Sequence, residues 1–105
     1  MSAPEMVTLC GSMRFFPLML DVAAELTAAG VIVLSPFKTV APEDQAGELK
    51  QQLDALHLWK IRLADRVVIV TDETGYMGPS TSREKAYAEQ VGKPVEVVKR
   101  GAVNG

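Results

Sequence analysis

The sequence predicts a small α/β domain, a doubly wound parallel sheet of four or five strands with helices on both faces. Three observations carry that expectation. Apolar, β-branched runs alternate with helically periodic segments along the whole chain. Each run leads into a helix rather than a hairpin turn, which makes the strands parallel. With 105 residues there is room for one core, so residues 1–105 read as a single domain.

The elements follow in order. "MVTLCG" (6–11) is a β-rich run closed by Gly11. Residues 17–29 carry Met19, Val22, Ala23 and Leu26 on one helical stripe, with Pro17 suited to the first turn and Gly30 to the stop. "VIVLSPF" (31–37) is a second strand, and its unbroken apolar character predicts cover on both faces. Residues 38–47 read as loop. A helix over 48–64 sets Leu49, Leu53, Leu56, Lys60 and Leu63 on one side. "RVVIVTD" (66–72) is the third strand, "ETGYMGP" (73–79) a glycine-punctuated loop, 80–91 a helix stopped by Gly92, and "KPVEVVK" (93–99) the fourth strand before a frayed GAVNG tail. In such Rossmann- or flavodoxin-like sheets, ligands bind beyond the carboxyl ends of the strands where strand order reverses. That rule selects "CGSMR", "SPFK" and "TDETGYMGPSTSRE".

Composition narrows the function. A 48% hydrophobic, 23% charged chain of net charge −2 has no basic footprint for nucleic acid, although Lys60, Arg62 and Arg66 are local basic spots. The single cysteine, Cys10, forms no intrachain disulfide, and nothing points to an oxidising compartment. No apolar run reaches the ~18 residues of a membrane span, and the first five residues lack a signal-peptide pattern. The expectation is a cytoplasmic protein without nucleic-acid or membrane partners.

Glu84 raises the sharpest question, because it shares a helical stripe with Tyr87, Ala88 and Val91 and so points inward. One answer is a capping box, Thr81-x-x-Glu84, with the glutamate reaching back to the cap. The other is a carboxylate held ionised by the helix N-terminus and aimed at a sugar carbon as nucleophile. In "CGSMR", Gly11 and Ser12 can turn backbone N–H groups towards an anion, with Arg14 adding a guanidinium. A plain strand-to-helix turn is the alternative.

These residues resemble the nucleoside 2-deoxyribosyltransferases and the related nucleoside 5′-monophosphate N-glycosidases, over nearly the whole chain. "TLCGSMR" is similar to the family's first phosphate loop, "LADRVVIVTD" to its A-D-x-V-V strand, and "PSTSREKAYAEQVGKPV" to its S/T-x-x-E-x-x-x-A-x-x-x-G-K-P block. The resemblance implies that Glu84 attacks C1′ of a (deoxy)ribose. It implies that Gly11, Ser12 and Arg14 hold a 5′-phosphate, and that Ser80 and Thr81 assist with phosphate or sugar. His57 stands where the enzymes usually carry an aspartate, and Thr8 where many carry a tyrosine. His57-x-x-Lys60-Ile61-x-x-Ala64-Asp65 is similar to small members of the superfamily that bind nucleotides without turning them over.

His57 either donates a proton to a departing base near neutral pH, contacts phosphate, or is an ordinary helix residue. Asp72, at the end of the third strand, is a candidate ribose or base contact or a turn residue; Asp65 starts that strand. Tyr76 and Met77 are candidates to lie over a base. No His/Cys group has metal-ligand spacing and Cys10 has no base near it in sequence, so neither a metal, a cofactor nor a cysteine nucleophile is expected. The reading is cleavage or transfer at the N-glycosidic bond of a small-molecule nucleoside or nucleoside 5′-monophosphate. The rival is a nucleotide-binding module without catalysis. Leu49, Leu53, Leu56 and Trp59 predict a homodimer with Trp59 near the contact, His57 turned to the cleft, and each cleft built mostly from one chain.

Overall fold

The computed structural model describes residues 3–101, so the expected fraying of the tail at 102–105 and the first two residues of the start lie outside the described residues. Four strands form where the apolar runs predict them: β1 (Met6–Cys10), β2 (Ile32–Leu34), β3 (Arg66–Asp72) and β4 (Val95–Arg100). All pair in parallel, in the order β2-β1-β3-β4. Between them run α1 (Phe16–Ala28), α2 (Glu48–Leu63) and α3 (Pro79–Gln90), with 3-10 turns at Met13–Phe15 and Pro42–Asp44.

Strand alternation divides the core. Val7, Leu9, Val68 and Val70 face α1 and pack on Met19 and Val22. Cys10, Val67 and Ile69 face the other way, on Ile61 of α2 and Ala88 of α3. The helices thus cover both faces, and the sheet has four strands. Strand order reverses between β1 and β3, which leaves a crevice outside their carboxyl ends.

Two expectations are corrected, for the second strand and for the start of α3. The run 31–37 yields only a three-residue strand at the sheet edge, with Ile32 exposed. It pairs with β1 alone, and Pro36 lacks the N–H that would extend the ladder. An apolar run reports hydrophobicity, not position in the strand order.

On α2 the buried residues are His57 and Ile61, with Ala64 just beyond, whereas Leu49, Leu56, Trp59 and Leu63 face outward, the last two 59% and 63% exposed. Two bonds fix this rotation. The Thr8 hydroxyl donates to the Lys60 carbonyl at 2.6 Å, and Lys60 Nζ donates to the Ser35 carbonyl at 2.8 Å.

Finally, α3 begins one turn earlier than a Thr81 cap would require. Gly78 is the N-cap, Pro79 opens the helix, and no side chain caps it. Thr81 is buried inside the first turn, so the capping box does not form and Glu84 belongs to the second turn.

Among the described residues no helix is long and apolar enough to cross a membrane. The exposed α2 stripe is an apolar surface that a second copy of the chain can cover by two-fold symmetry, and we propose that it does. Light scattering at micromolar concentration is expected to give twice the 11.3 kDa chain mass, and Trp59→Glu to return it to the monomer. A monomeric wild type would refute the pairing.

Candidate active site

The crevice begins at Gly11. A Cβ there would lie 2.6 Å from the Val70 carbonyl oxygen, so only glycine lets the chain leave β1 pressed against β3. Ser12 follows in extended conformation, and its carbonyl accepts the Phe15 N–H as the chain turns into the 3-10 turn. Opposite, α3 presents its uncapped N-terminus, with Ser80 and Thr81 on the cleft wall. The first N–H groups of a helix have no intrahelical acceptor, so this end and the Gly11–Ser12 turn together favour an anion. The cleft holds about 380 Å³, within the range of small-molecule sites.

At its base, three elements bring three reactive side chains together. Cys10 from the end of β1 places Sγ 3.3 Å from Nε2 of His57 on α2. Glu84 of α3 places Oε1 3.7 Å from the same nitrogen. The three donor atoms all lie within 4.8 Å of one another. His57 is 6% exposed and the Glu84 side chain 17%.

Burial sets their protonation. It pushes Glu84 up to about 7, with the charge of Asp54 adding to the rise; Lys50, a hydrogen bond from Cys10, and Arg83 pull it back. It pushes His57 down to about 4, helped by Lys60 and opposed by Asp54. The Cys10 thiol is raised by burial and by Glu84. At neutral pH the imidazole is therefore uncharged and Glu84 near the middle of its titration. The contact at 3.7 Å is longer than a hydrogen bond and is not an ion pair.

Two expectations change. Glu84 is not held ionised by the helix N-terminus, because in the second turn desolvation outweighs the dipole. His57 is not matched to proton donation near neutral pH, because burial has removed its charge. Cys10 has no base near it in sequence, and the fold supplies one, His57, from 47 residues away.

Of the other predicted residues, Gly11, Ser12, Ser80, Thr81 and Tyr76 line the cleft. Arg14 is exposed, with its guanidinium stacked 4.4 Å from the Tyr76 ring centroid rather than on the cleft wall. Tyr76 in turn meets the edge of Phe15. The carboxylate of Asp72 accepts the Thr74 N–H at 3.0 Å and the Thr74 hydroxyl, which folds the loop after β3 and occupies Asp72 as a turn residue. Asp65 accepts the Met6 N–H at the far end of the sheet.

The structure adds residues the sequence reading passed over. Lys38 and Gln45 reach the cleft from a stretch read as plain loop, and an ion-paired Lys50 and Asp54 reach it from α2. Lys50, Leu53, Asp54 and His57 share one helical face, so the periodicity through His57 was the available signal.

No protein-family model matches the sequence, and no curated protein does. Among the solved structures that share the fold are two deoxyribosyltransferases. A 2-desoxiribosyltransferase from Leishmania mexicana superposes with a TM-score of 0.68 at 19% identity, over 91% of this chain and 65% of that one. A 2-deoxyribosyltransferase from the psychrotolerant bacterium Bacillus psychrosaccharolyticus superposes with a TM-score of 0.69 at 19% identity, over 95% of this chain and 77% of that one. The chain thus has the fold of these two proteins, and it spans just under two thirds of the length of the first.

The protonation of Glu84 makes a stability prediction. Its folded pKa of about 7 lies above the ordinary 4.5, so the folded state binds the proton more tightly. The stability this contributes is complete below pH 4.5 and is lost as pH rises through 7. Glu84→Gln removes the loss. Denaturant unfolding should find the variant gaining on the wild type by a few kcal/mol between pH 5 and pH 8. A difference independent of pH would contradict the burial of this carboxylate.

Proposed function

We propose that the chain breaks the N-glycosidic bond of a nucleoside or nucleoside 5′-monophosphate, with Glu84 as nucleophile. The carrying observation is a carboxylate buried at the base of a nucleotide-sized cleft, at the reversal point of the sheet, one turn along α3 from an N-terminus suited to an anion. The two solved structures of the same fold are named as deoxyribosyltransferases, which supports this chemistry.

In the proposed reaction an ionised Glu84 oxygen forms a bond to C1′ as the C1′–N bond breaks, and the electron pair leaves with the base. Solvent protonates the base, since the His57 imidazole is neutral. Water or a second base then attacks C1′ and releases the carboxylate; hydrolysis and deoxyribosyl transfer differ only in that acceptor. His57 positions Glu84. The Gly11–Ser12 turn and the Ser80–Thr81 end of α3 receive the phosphate, with Lys38 and Lys50 adding positive charge.

One observation favours a second reading, a nucleotide-binding module without turnover: neither His57 nor Cys10, the two side chains grouped with Glu84, is poised to protonate a leaving base. A panel of nucleosides and 5′-monophosphates decides between them by chromatographic release of free base. Under the catalytic reading, wild type releases base, the rate climbs with pH through about 7 as Glu84 ionises, and Glu84→Gln abolishes release while retaining binding. Wild type that binds but releases nothing establishes the binding module.

Phosphate recognition is tested by calorimetry. A charge-assisted contact contributes about 1.5–3 kcal/mol, so a 5′-monophosphate should bind at least ~tenfold more tightly than its nucleoside. Arg14→Ala should leave that ratio intact, because the guanidinium sits on Tyr76. Equal affinities would exclude a phosphate subsite.

A further inference from the structure

We infer that Cys10, His57 and Glu84 form a binding site for a thiophilic divalent cation, Zn²⁺ by chemistry, at the base of the cleft. The donors are a thiol sulfur, an imidazole nitrogen and a carboxylate oxygen, one each from β1, α2 and α3. Tetrahedral zinc with bonds of about 2.3 Å to sulfur and about 2.0–2.2 Å to nitrogen and oxygen sets its ligand atoms roughly 3.3–3.6 Å apart. The observed 3.3 Å from sulfur to nitrogen and 3.7 Å from nitrogen to oxygen lie within a few tenths of an ångström of those edges. The third edge, from sulfur to carboxylate oxygen, is within 4.8 Å.

Rigidity supports the site. Cys10 ends a strand buried from Val7 onward, His57 sits on a helix locked by the two Lys60 bonds, and Glu84 lies mid-helix. Two of the three donors, His57 and Glu84, also line the cleft, so the site borders it. Sulfur and imidazole together select zinc or cobalt over magnesium and calcium, which prefer all-oxygen sites. On binding, the thiol and any protonated Glu84 release protons to solvent, and the metal–sulfur and metal–oxygen bonds take their place. Nδ1 of His57 is buried without a partner. A ligating histidine usually donates its other N–H, and lacking that acceptor weakens metal binding by about 10–100-fold. Binding here is accordingly weaker than at a site whose histidine has that acceptor. A metal here occupies the carboxylate proposed as nucleophile and excludes a sugar carbon from it.

The test uses the full chain stripped with chelator and titrated with Co²⁺. Expected are one equivalent bound per chain, a thiolate-to-cobalt charge-transfer band and the intense visible bands of tetrahedral cobalt, all displaced by Zn²⁺ and unaffected by Mg²⁺. Cys10→Ser should remove the charge-transfer band, and His57→Gln should weaken binding at least tenfold, with circular dichroism confirming that each variant folds. Should Cys10→Ser fail to fold, the wild-type thiolate band and the His57→Gln affinity still decide. Cobalt bound without a thiolate band, affinity unchanged in His57→Gln, or no binding at 100 µM metal would each overturn the site. The outcome is separable from the glycosidic reading, because a chain that binds cobalt through Cys10 but releases no base refutes only that reading.

Discussion

The architecture depends on one constraint, the hand of the crossover between parallel strands. A right-handed crossover from β1 to β2 puts α1 on one face. The return past β1 to β3 then puts α2, and after it α3, on the other. Since β2 and β3 flank β1 on opposite sides, the segments leaving β1 and β3 diverge and the sheet cannot close over the gap. Cys10, His57 and Glu84 meet because the strand end and both same-face helices border that gap. Every statement about the site, whether as sugar, phosphate or metal chemistry, rests on this winding.

Desolvation governs what the site can do once assembled. In water a carboxylate beside an imidazole near neutral pH forms a charged pair. Here both groups are mostly withdrawn from solvent, and burial is the largest influence on each. Mutual attraction at 3.7 Å does not recover the cost of stripping water from two charges. Three of the residues that modulate the balance, Lys50, Asp54 and Lys60, belong to α2, so the helix that supplies His57 also tunes Glu84.

Much of the fold was legible in the sequence because parallel α/β domains announce themselves through alternation. β1 and β3 formed within a residue of the predicted ranges, and Glu84, Ser80, Thr81 and Gly11 line the cleft. What stayed hidden involves information that neighbouring residues do not carry. The edge position of β2 follows from strand order. The rotation of α2 follows from bonds to Thr8 and Ser35, which lie 52 and 25 residues away. The Cys10–His57–Glu84 group is invisible to any test of local ligand spacing, because its members come from three elements. Asp72 shows the reverse case: its strand-end position was read correctly, but the nearby Thr74 occupies its carboxylate. Helix α3 misled through an attractive local pattern, since Gly78 and Pro79 provided an earlier start than the capping box.

The opposite displacements of His57 and Glu84 have a consequence for the protein's electrical identity. Between about pH 4.5 and 6.5, an unfolded chain carries an imidazolium and a carboxylate at these positions, while the folded chain carries an imidazole and a carboxylic acid. Folding thus extinguishes one charge of each sign without taking up or releasing a proton. Within that interval the pair is silent to potentiometry and to electrophoresis, and its contribution to the stability curve is level. Its signature is vibrational: a protonated-carboxyl stretch present in the native protein at a pH where an ordinary glutamate has already lost it.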